Sequence, residues 1–174
     1  MSVKDGWKGR FLEDFEIGDI YRSRLGRTVT EVDNTYFTLL TNNTNQIHFN
    51  ADYAAKTEFG RPLVNSTFTL AVIAGLAVTD TSENGFALGW DGIKLKTPVY
   101  AGDTLYAETV VLDKRLSKSR PGQGILKVQT RGLNQRGETV LEYARSIMVW
   151  SREAAPLGDL FPTPVDPFMN FDKV

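Results

Sequence analysis

A single histidine, His48, stands in a chain of 174 residues that holds no cysteine. Imidazole is the side chain best suited to moving protons near neutral pH, so His48 is the first candidate for a general base. The lack of cysteine removes disulfides, thiolate metal sites and a thiol nucleophile, and one histidine cannot build a multi-histidine metal centre. A Ser-His-Asp arrangement stays open, and no metal site is expected. His48 lies in the run Thr41-Asn42-Asn43-Thr44-Asn45-Gln46-Ile47-His48-Phe49-Asn50, which is dense in carboxamides. Amides donate and accept without charge, so Asn43 and Asn45 suit a role in holding a water or a carbonyl beside a base. The same residue types also form turns and helix caps. Residue chemistry alone leaves both readings open.

The elements around this loop must position it. Thr30 and Asp33 form the [ST]-x-x-[DE] pattern of a helix start, and Tyr36, Phe37, Leu39 and Leu40 supply its apolar face up to Asn42-Asn43. Residues 41–62 read as loop with a short helix at 52–56. A longer helix is expected at 66–79. Its Phe68, Leu70, Ala71, Ile73, Ala74, Leu76 and Ala77 are apolar almost all round, which predicts burial, with small residues letting a sheet approach. Residues 19–25 read as a short strand. Beyond Gly85 four runs rich in β-branched and aromatic residues (86–95, 104–116, 124–133 and 138–150) are separated by turn signals, among them Tyr100-Ala101-Gly102-Asp103. They predict a four-stranded antiparallel meander curved around the buried helix, an α+β arrangement. Trp7, Phe11 and Phe15, spaced by four, are expected to lie on the body of the fold. The tail, with four prolines, is expected to be extended and to pack Phe161, Phe168 and Phe171 on a surface or a partner subunit. One domain over 1–174 is expected, with an N-terminal segment 1–18 and the tail 151–174.

Composition bounds the partners. Twenty basic against 21 acidic residues give a formal charge of -1, so no global field recruits nucleic acid or an anionic membrane. A hydrophobic share of 41% with 24% charged residues is that of a globular protein. No apolar run approaches the roughly 18–20 residues of a membrane span. The first residues lack the apolar core of a secretory signal, and the cytoplasm is the expected compartment.

Three segments in register look like the MaoC-like family, which includes the (R)-specific enoyl-CoA hydratases. They are Asn43 to His48, the stretch from Asp52-Tyr53-Ala54 through Thr57-Glu58-Phe59-Gly60-Arg61-Pro62 to Asn65-Ser66, and Gly92 to Leu105 with its P-V-x-x-G-D turn at Pro98 to Asp103. The resemblance spans residues 15–150. It implies a hot-dog fold, an antiparallel sheet around a central helix, normally paired with a second such unit. A homodimer or larger homo-oligomer is therefore expected. It also implies hydration or dehydration of an acyl-CoA thioester, with CoA as part of the substrate and no separate cofactor.

The family pattern D-x-N-P-[LIV]-H reads here as Asn43-Thr44-Asn45-Gln46-Ile47-His48. Asn43 stands where the family has a catalytic aspartate, and Gln46 replaces the proline. The family's V-H-G turn becomes Val64-Asn65-Ser66, so the amide that receives the thioester oxygen falls on Ser66. The resemblance thus casts His48 as general base and Asn43 as the group orienting water or substrate. Asn65, Ser66 and Asn45 become positioning groups for the thioester. An asparagine cannot exchange a proton at neutral pH, but it tolerates a substrate carboxylate that an aspartate would repel by roughly 1–4 kcal/mol at about 4 Å. The chain is similar to the branch acting on mesaconyl-CoA and itaconyl-CoA, C4–C5 dicarboxylic thioesters, through 45–50, 64–70, 80–84 and 117–124. Arg61, Lys118 and Arg120 are candidates to contact substrate or the CoA phosphates. Arg61 has an alternative role in a structural ion pair with Glu58 or Asp52, and the strand-end cations one as solvated sheet-edge charges. Two competing functions remain: an acyl-CoA binder without turnover, and a hot-dog thioesterase.

Overall fold

The β-branched runs become the four long strands in a computed structural model that describes residues 4, 6–156 and 161–166. In chain order the elements are β1 (Ile20–Arg22), β2 (Arg27–Thr28), α1 (Glu31–Leu40), α2 (Ala51–Ala55), α3 (Ser66–Leu76) and α4 (Val78–Thr81). The long strands β3 (Gly85–Leu95), β4 (Thr104–Leu116), β5 (Gln123–Leu133) and β6 (Thr139–Trp150) follow, and 3-10 turns lie at Leu12–Asp14 and Gln46–His48. All strand pairs are antiparallel, in the order β1-β4-β5-β6-β3, with β2 also against β4. β5 buries Leu126, Val128 and Thr130 and exposes Lys127, Gln129 and Arg131 between them, as a strand with one covered face must.

Only β4, β5 and β6 form the expected meander. β3 pairs with β6 and not with its neighbour in sequence. The reason lies in residues 96–103, which cross over instead of closing a hairpin. There the Val99 carbonyl takes the Val64 N–H at 2.9 Å, and Tyr100 bridges Leu63. The crossover thus holds the segment that enters α3.

Its turn is fixed by Asp103. The Asp103 carboxylate accepts from the Tyr100 N–H (3.0 Å), the Gln135 amide (2.9 Å) and Arg136 (3.1 Å). Burial alone would raise this carboxyl, but those donors hold it below its ordinary value. Gly102 sits at φ +96°, a conformation that L side chains rarely adopt, so the glycine of the P-V-x-x-G-D turn answers a backbone need.

Two helices differ from expectation. In α1 the apolar residues face outward: Tyr36, Leu39 and Leu40 are 63–70% exposed, while Asn34 and Thr38, one turn apart, are buried. Phe37 alone of the expected face turns in, its ring 5.1 Å from that of Phe68. The inner face of α1 is polar because it packs on backbone groups of loops and not on side chains of a core. The long helix breaks at Ala77 into α3 and α4, and the sheet covers only one side of α3. Thr69 and Ile73 are buried, whereas Ala71 and Gly75 are exposed. Close approach comes from the sheet: a Cβ on Gly132 would lie 2.6 Å from Ile73. β3 is the long edge strand of the sheet, and it exposes Phe86, Leu88, Trp90, Ile93 and Leu95.

Phe11 and Phe15 are buried as expected, but Trp7 is 56% exposed, its indole N–H donating to Glu83 at 2.8 Å. Phe161 is exposed on this chain, while Phe168 and Phe171 lie outside the described residues. No helix of the described residues is long and apolar enough to cross a membrane, and among them no group of three or more His, Asp or Glu is placed to hold a metal ion.

Candidate active site

His48 ends the 3-10 turn Gln46–His48, which Asn45 caps by accepting the Ile47 N–H at 3.2 Å. The position where the resemblance expects proline is held differently here, by the Asn50 amide donating to Gln46 Oε1 at 2.6 Å. The half-buried imidazole has its Nδ1 2.8 Å from the Leu63 carbonyl. A carbonyl only accepts, so Nδ1 carries the hydrogen and Nε2 of the neutral ring is left as a lone-pair base. Nε2 has no hydrogen-bond partner among the described residues.

Leu63 lies three residues before Ser66, the first residue of α3. Asn65 caps that helix, its Oδ1 accepting from the Thr67 N–H (3.0 Å) and hydroxyl (2.7 Å). The capping oxygen serves one orphan donor of the first turn, and the Ser66 N–H has no partner among the described hydrogen bonds. Asn65 is 2% exposed and its Nδ2 is buried without a partner. One end of α3 therefore presents unsatisfied donors and the positive end of the helix dipole, an arrangement that stabilises a developing oxyanion.

A residue that sequence reasoning missed joins the two halves. Asn34, 3% exposed on α1, donates through Nδ2 to the His48 carbonyl (2.7 Å) and to the Leu63 carbonyl (3.2 Å). Its Oδ1 accepts the Asn65 N–H at 2.8 Å. The signal in the sequence was the pair Asn34 and Thr38 at i, i+4, a polar stripe inside an otherwise apolar helix pattern.

The remaining candidates divide. The Asn43 Oδ1 accepts the Asn45 N–H (2.9 Å) and its own N–H donates to the Thr38 carbonyl (3.0 Å), so the Asn43 NH2 group is the part left for a ligand. Asn45 spends its carbonyl oxygen on the cap. Arg61 forms no ion pair with Glu58 or Asp52; Asp52 pairs with Lys56, and the Arg61 guanidinium stacks 3.9 Å from the Tyr100 ring centre. Lys118 and Arg120 are not brought to this site within the chain. They sit beyond the Leu116 end of β4, whereas the Tyr100–Asp103 crossover precedes its Thr104 end. Thirteen residues of strand separate them by roughly 40 Å if straight. Arg120 instead lies over Phe86 at 5.4 Å.

Comparison with known proteins decides the family. Residues 3–159 match the family model described as mesaconyl-CoA hydratase. The chain belongs to the mesaconyl-CoA hydratase family. It is 34% identical over 150 residues to a mesaconyl-CoA hydratase of Haloarcula marismortui, covering 85% of this chain and 42% of that protein. A Chloroflexus aurantiacus structure described as a MaoC-domain dehydratase superposes with a TM-score of 0.81 at 30% identity, over 95% of this chain and 47% of that one. A Mycobacterium tuberculosis protein with a double hotdog fold gives 0.77 at 19% identity, over 92% and 53%, and speaks to the fold alone. The fold is thus the hot-dog fold, and the chain spans about two fifths of the length of the curated relatives it matches.

Proposed function

We propose that this member of the mesaconyl-CoA hydratase family adds water to an α,β-unsaturated acyl-CoA thioester, or removes it in reverse. His48 Nε2 takes a proton from water as the water oxygen bonds to Cβ. The π electrons shift toward the thioester oxygen, and the enolate is held by the Ser66 N–H with the Asn65 Nδ2 as a second donor. The imidazolium then returns the proton to Cα, so one water is consumed and no other reactant is needed. No metal, flavin or nicotinamide enters, and CoA is part of the substrate. The observation that supports this reading is the His48 Nδ1 to Leu63 carbonyl bond, which leaves Nε2 basic beside the start of α3.

The acyl group we assign is a C4–C5 dicarboxylic one, such as mesaconyl or itaconyl. Asn43 offers NH2 hydrogens to a carboxylate where a carboxylate side chain would repel it. Arg61, free of an acidic partner among its described contacts and two residues before Leu63, supplies the nearest cationic rim. A second copy of the chain completes the unit: the uncovered face of α3 and the apolar edge strand β3 fit pairing with an equivalent hot-dog unit.

The test is a panel of neutral and dicarboxylic enoyl-CoAs followed by mass spectrometry. Gain of one water, greatest with dicarboxylic thioesters and shifted toward crotonyl-CoA in Asn43→Asp, is expected. Tight binding with no product would instead favour a binder without turnover, which the aspartate-to-asparagine departure at residue 43 supports. Free thiol release would mark a thioesterase.

A further inference from the structure

We propose that Asn34 is a positioning residue that locks the base and the oxyanion site into one geometry. The inference rests on the hydratase reading for its kinetic consequence, but the structural coupling it asserts does not. The Asn34 side chain spends its two N–H bonds and its oxygen on two segments of the site, the His48 turn and residues 63–65. Nδ2 forks between the His48 and Leu63 carbonyls at 2.7 and 3.2 Å, and Oδ1 holds the Asn65 N–H at 2.8 Å. The Leu63 carbonyl is also the acceptor that sets the His48 tautomer. Asn34 thus fixes the backbone of His48, the group that orients its ring, and the cap from which α3 presents Ser66. All of its side-chain bonds go to backbone groups and none to the imidazole ring.

Its scaffold is built for this task. α1 begins with a capping box, in which Thr30 and Asp33 exchange bonds of 2.9 and 3.1 Å, and Arg27 pairs with Asp33 at 2.8 Å. One turn after Asn34, the carbonyl of Thr38 receives the Asn43 N–H at 3.0 Å. α1 therefore grips the His48 loop at both ends, through the Asn34 side chain and the Thr38 backbone carbonyl. A buried carboxamide meeting three partners at once is a directional device. Misplacement of a catalytic group by about 1 Å is enough to cost roughly 100-fold in rate.

Two variants separate the roles. Asn34→Asp keeps volume and the acceptor for Asn65 but sets an oxygen against two carbonyls, severing the His48 side. Asn34→Ala removes all three bonds. Each is expected to lower kcat about 100-fold while KM stays within about threefold. Because His48 is the one histidine, its 15N spectrum is a single pair of ring signals. In the wild type at high pH these should show Nδ1 protonated and Nε2 bare, and in both variants a mixture of tautomers. In the wild type the Asn65 N–H and the Asn34 side-chain amide should share one opening free energy, once each exchange rate with solvent is divided by its own intrinsic rate.

The proposal is overturned if kcat is unchanged, or if it falls only in proportion to the unfolded fraction while the ring signals stay those of the wild type. Separate opening free energies in the wild type overturn it too, even should both variants fail to fold. If the wild type hydrates no thioester, the hydratase reading falls. The ring signals and exchange rates still decide the place of Asn34.

Discussion

The two ends of the sheet differ in what is buried beside their apolar cores. At the end under the N-terminal segment, Phe15, Val111, Leu126, Val128, Ile147 and Val149 form a cluster that is buried to within a few per cent of completely. At the other end, where α1, the His48 loop and the start of α3 meet, the chain buries Asn34, Thr38 and Asn65 as well as an apolar cluster that includes Val29, Val64, Ile73, Val99 and Leu105. There the Thr38 hydroxyl and the Asn65 NH2 lack partners. Apolar burial is non-directional and depends on volume, whereas amide bonds fix distances and angles. An unpartnered buried donor costs roughly 1–3 kcal/mol. Both ends hold an apolar core, and the second spends some of its stability on geometry.

The sharpest contrast comes from truncating one residue in each region. His48→Ala should lower hydration about 1,000-fold in steady-state assays, within the range for a lost general base, and leave thermal unfolding nearly as in the wild type. Ile147→Ala should lose about 2–5 kcal/mol in denaturant titration, with kcat per folded molecule retained. The reverse assignment of effects would break the comparison. Asn65→Ser sharpens it further: serine still caps α3, so stability should change by about 1 kcal/mol or less, but the Nδ2 donor is gone and kcat should fall about 100-fold.

Acid dependence probes the crossover that links the regions. The Asp103 carboxyl is lower in the folded chain than its ordinary value near 3.8, through the Tyr100 N–H, Gln135 and Arg136 acting against burial. A depressed carboxyl stabilises the fold above its unfolded value, and that contribution disappears as pH falls through the folded one. Thermal unfolding followed below about pH 4 should therefore show a loss that Asp103→Asn flattens, while the variant is less stable at neutral pH. Smallest of all, Lys118→Ala and Arg120→Ala should leave KM for the thioester within about twofold in the single unit. A larger rise would mean that the far strand end joins a site across two copies.

The sequence carried the four long strands to within a residue, because each is a β-branched run bounded by turn residues, whereas the strand expected at 19–25 ends at Arg22 and β2 had no signal. It carried the helix cap at Thr30, because that pattern has local meaning, whereas His48, Asn65 and Ser66 were drawn together only by the family resemblance. The neighbour of β3 was not legible. A turn signal such as Tyr100 to Asp103 looks the same whether it closes a hairpin or ends a crossover, and the backbone bonds to Val64 and Leu63 that decide it are long-range. The facing of α1 was inverted for a related reason. Apolar residues normally mark the inner face, but here the inner partners are carbonyls and an N–H group, which select Asn34. The half-covered state of α3 had no local signature either, since an apolar helix reads the same whether its second face meets a sheet or another copy.

A crystal structure of the chain with a saturated acyl-CoA, which can bind but cannot add water, tests the central claim most directly. The thioester oxygen should lie about 2.7–3.1 Å from the Ser66 nitrogen, the distance expected of an oxyanion donor. Nε2 of His48 should face Cβ across a gap that one water fills. A thioester seated away from residues 65 and 66, or an imidazole turned so that Nε2 and not Nδ1 meets the Leu63 carbonyl, would contradict the account.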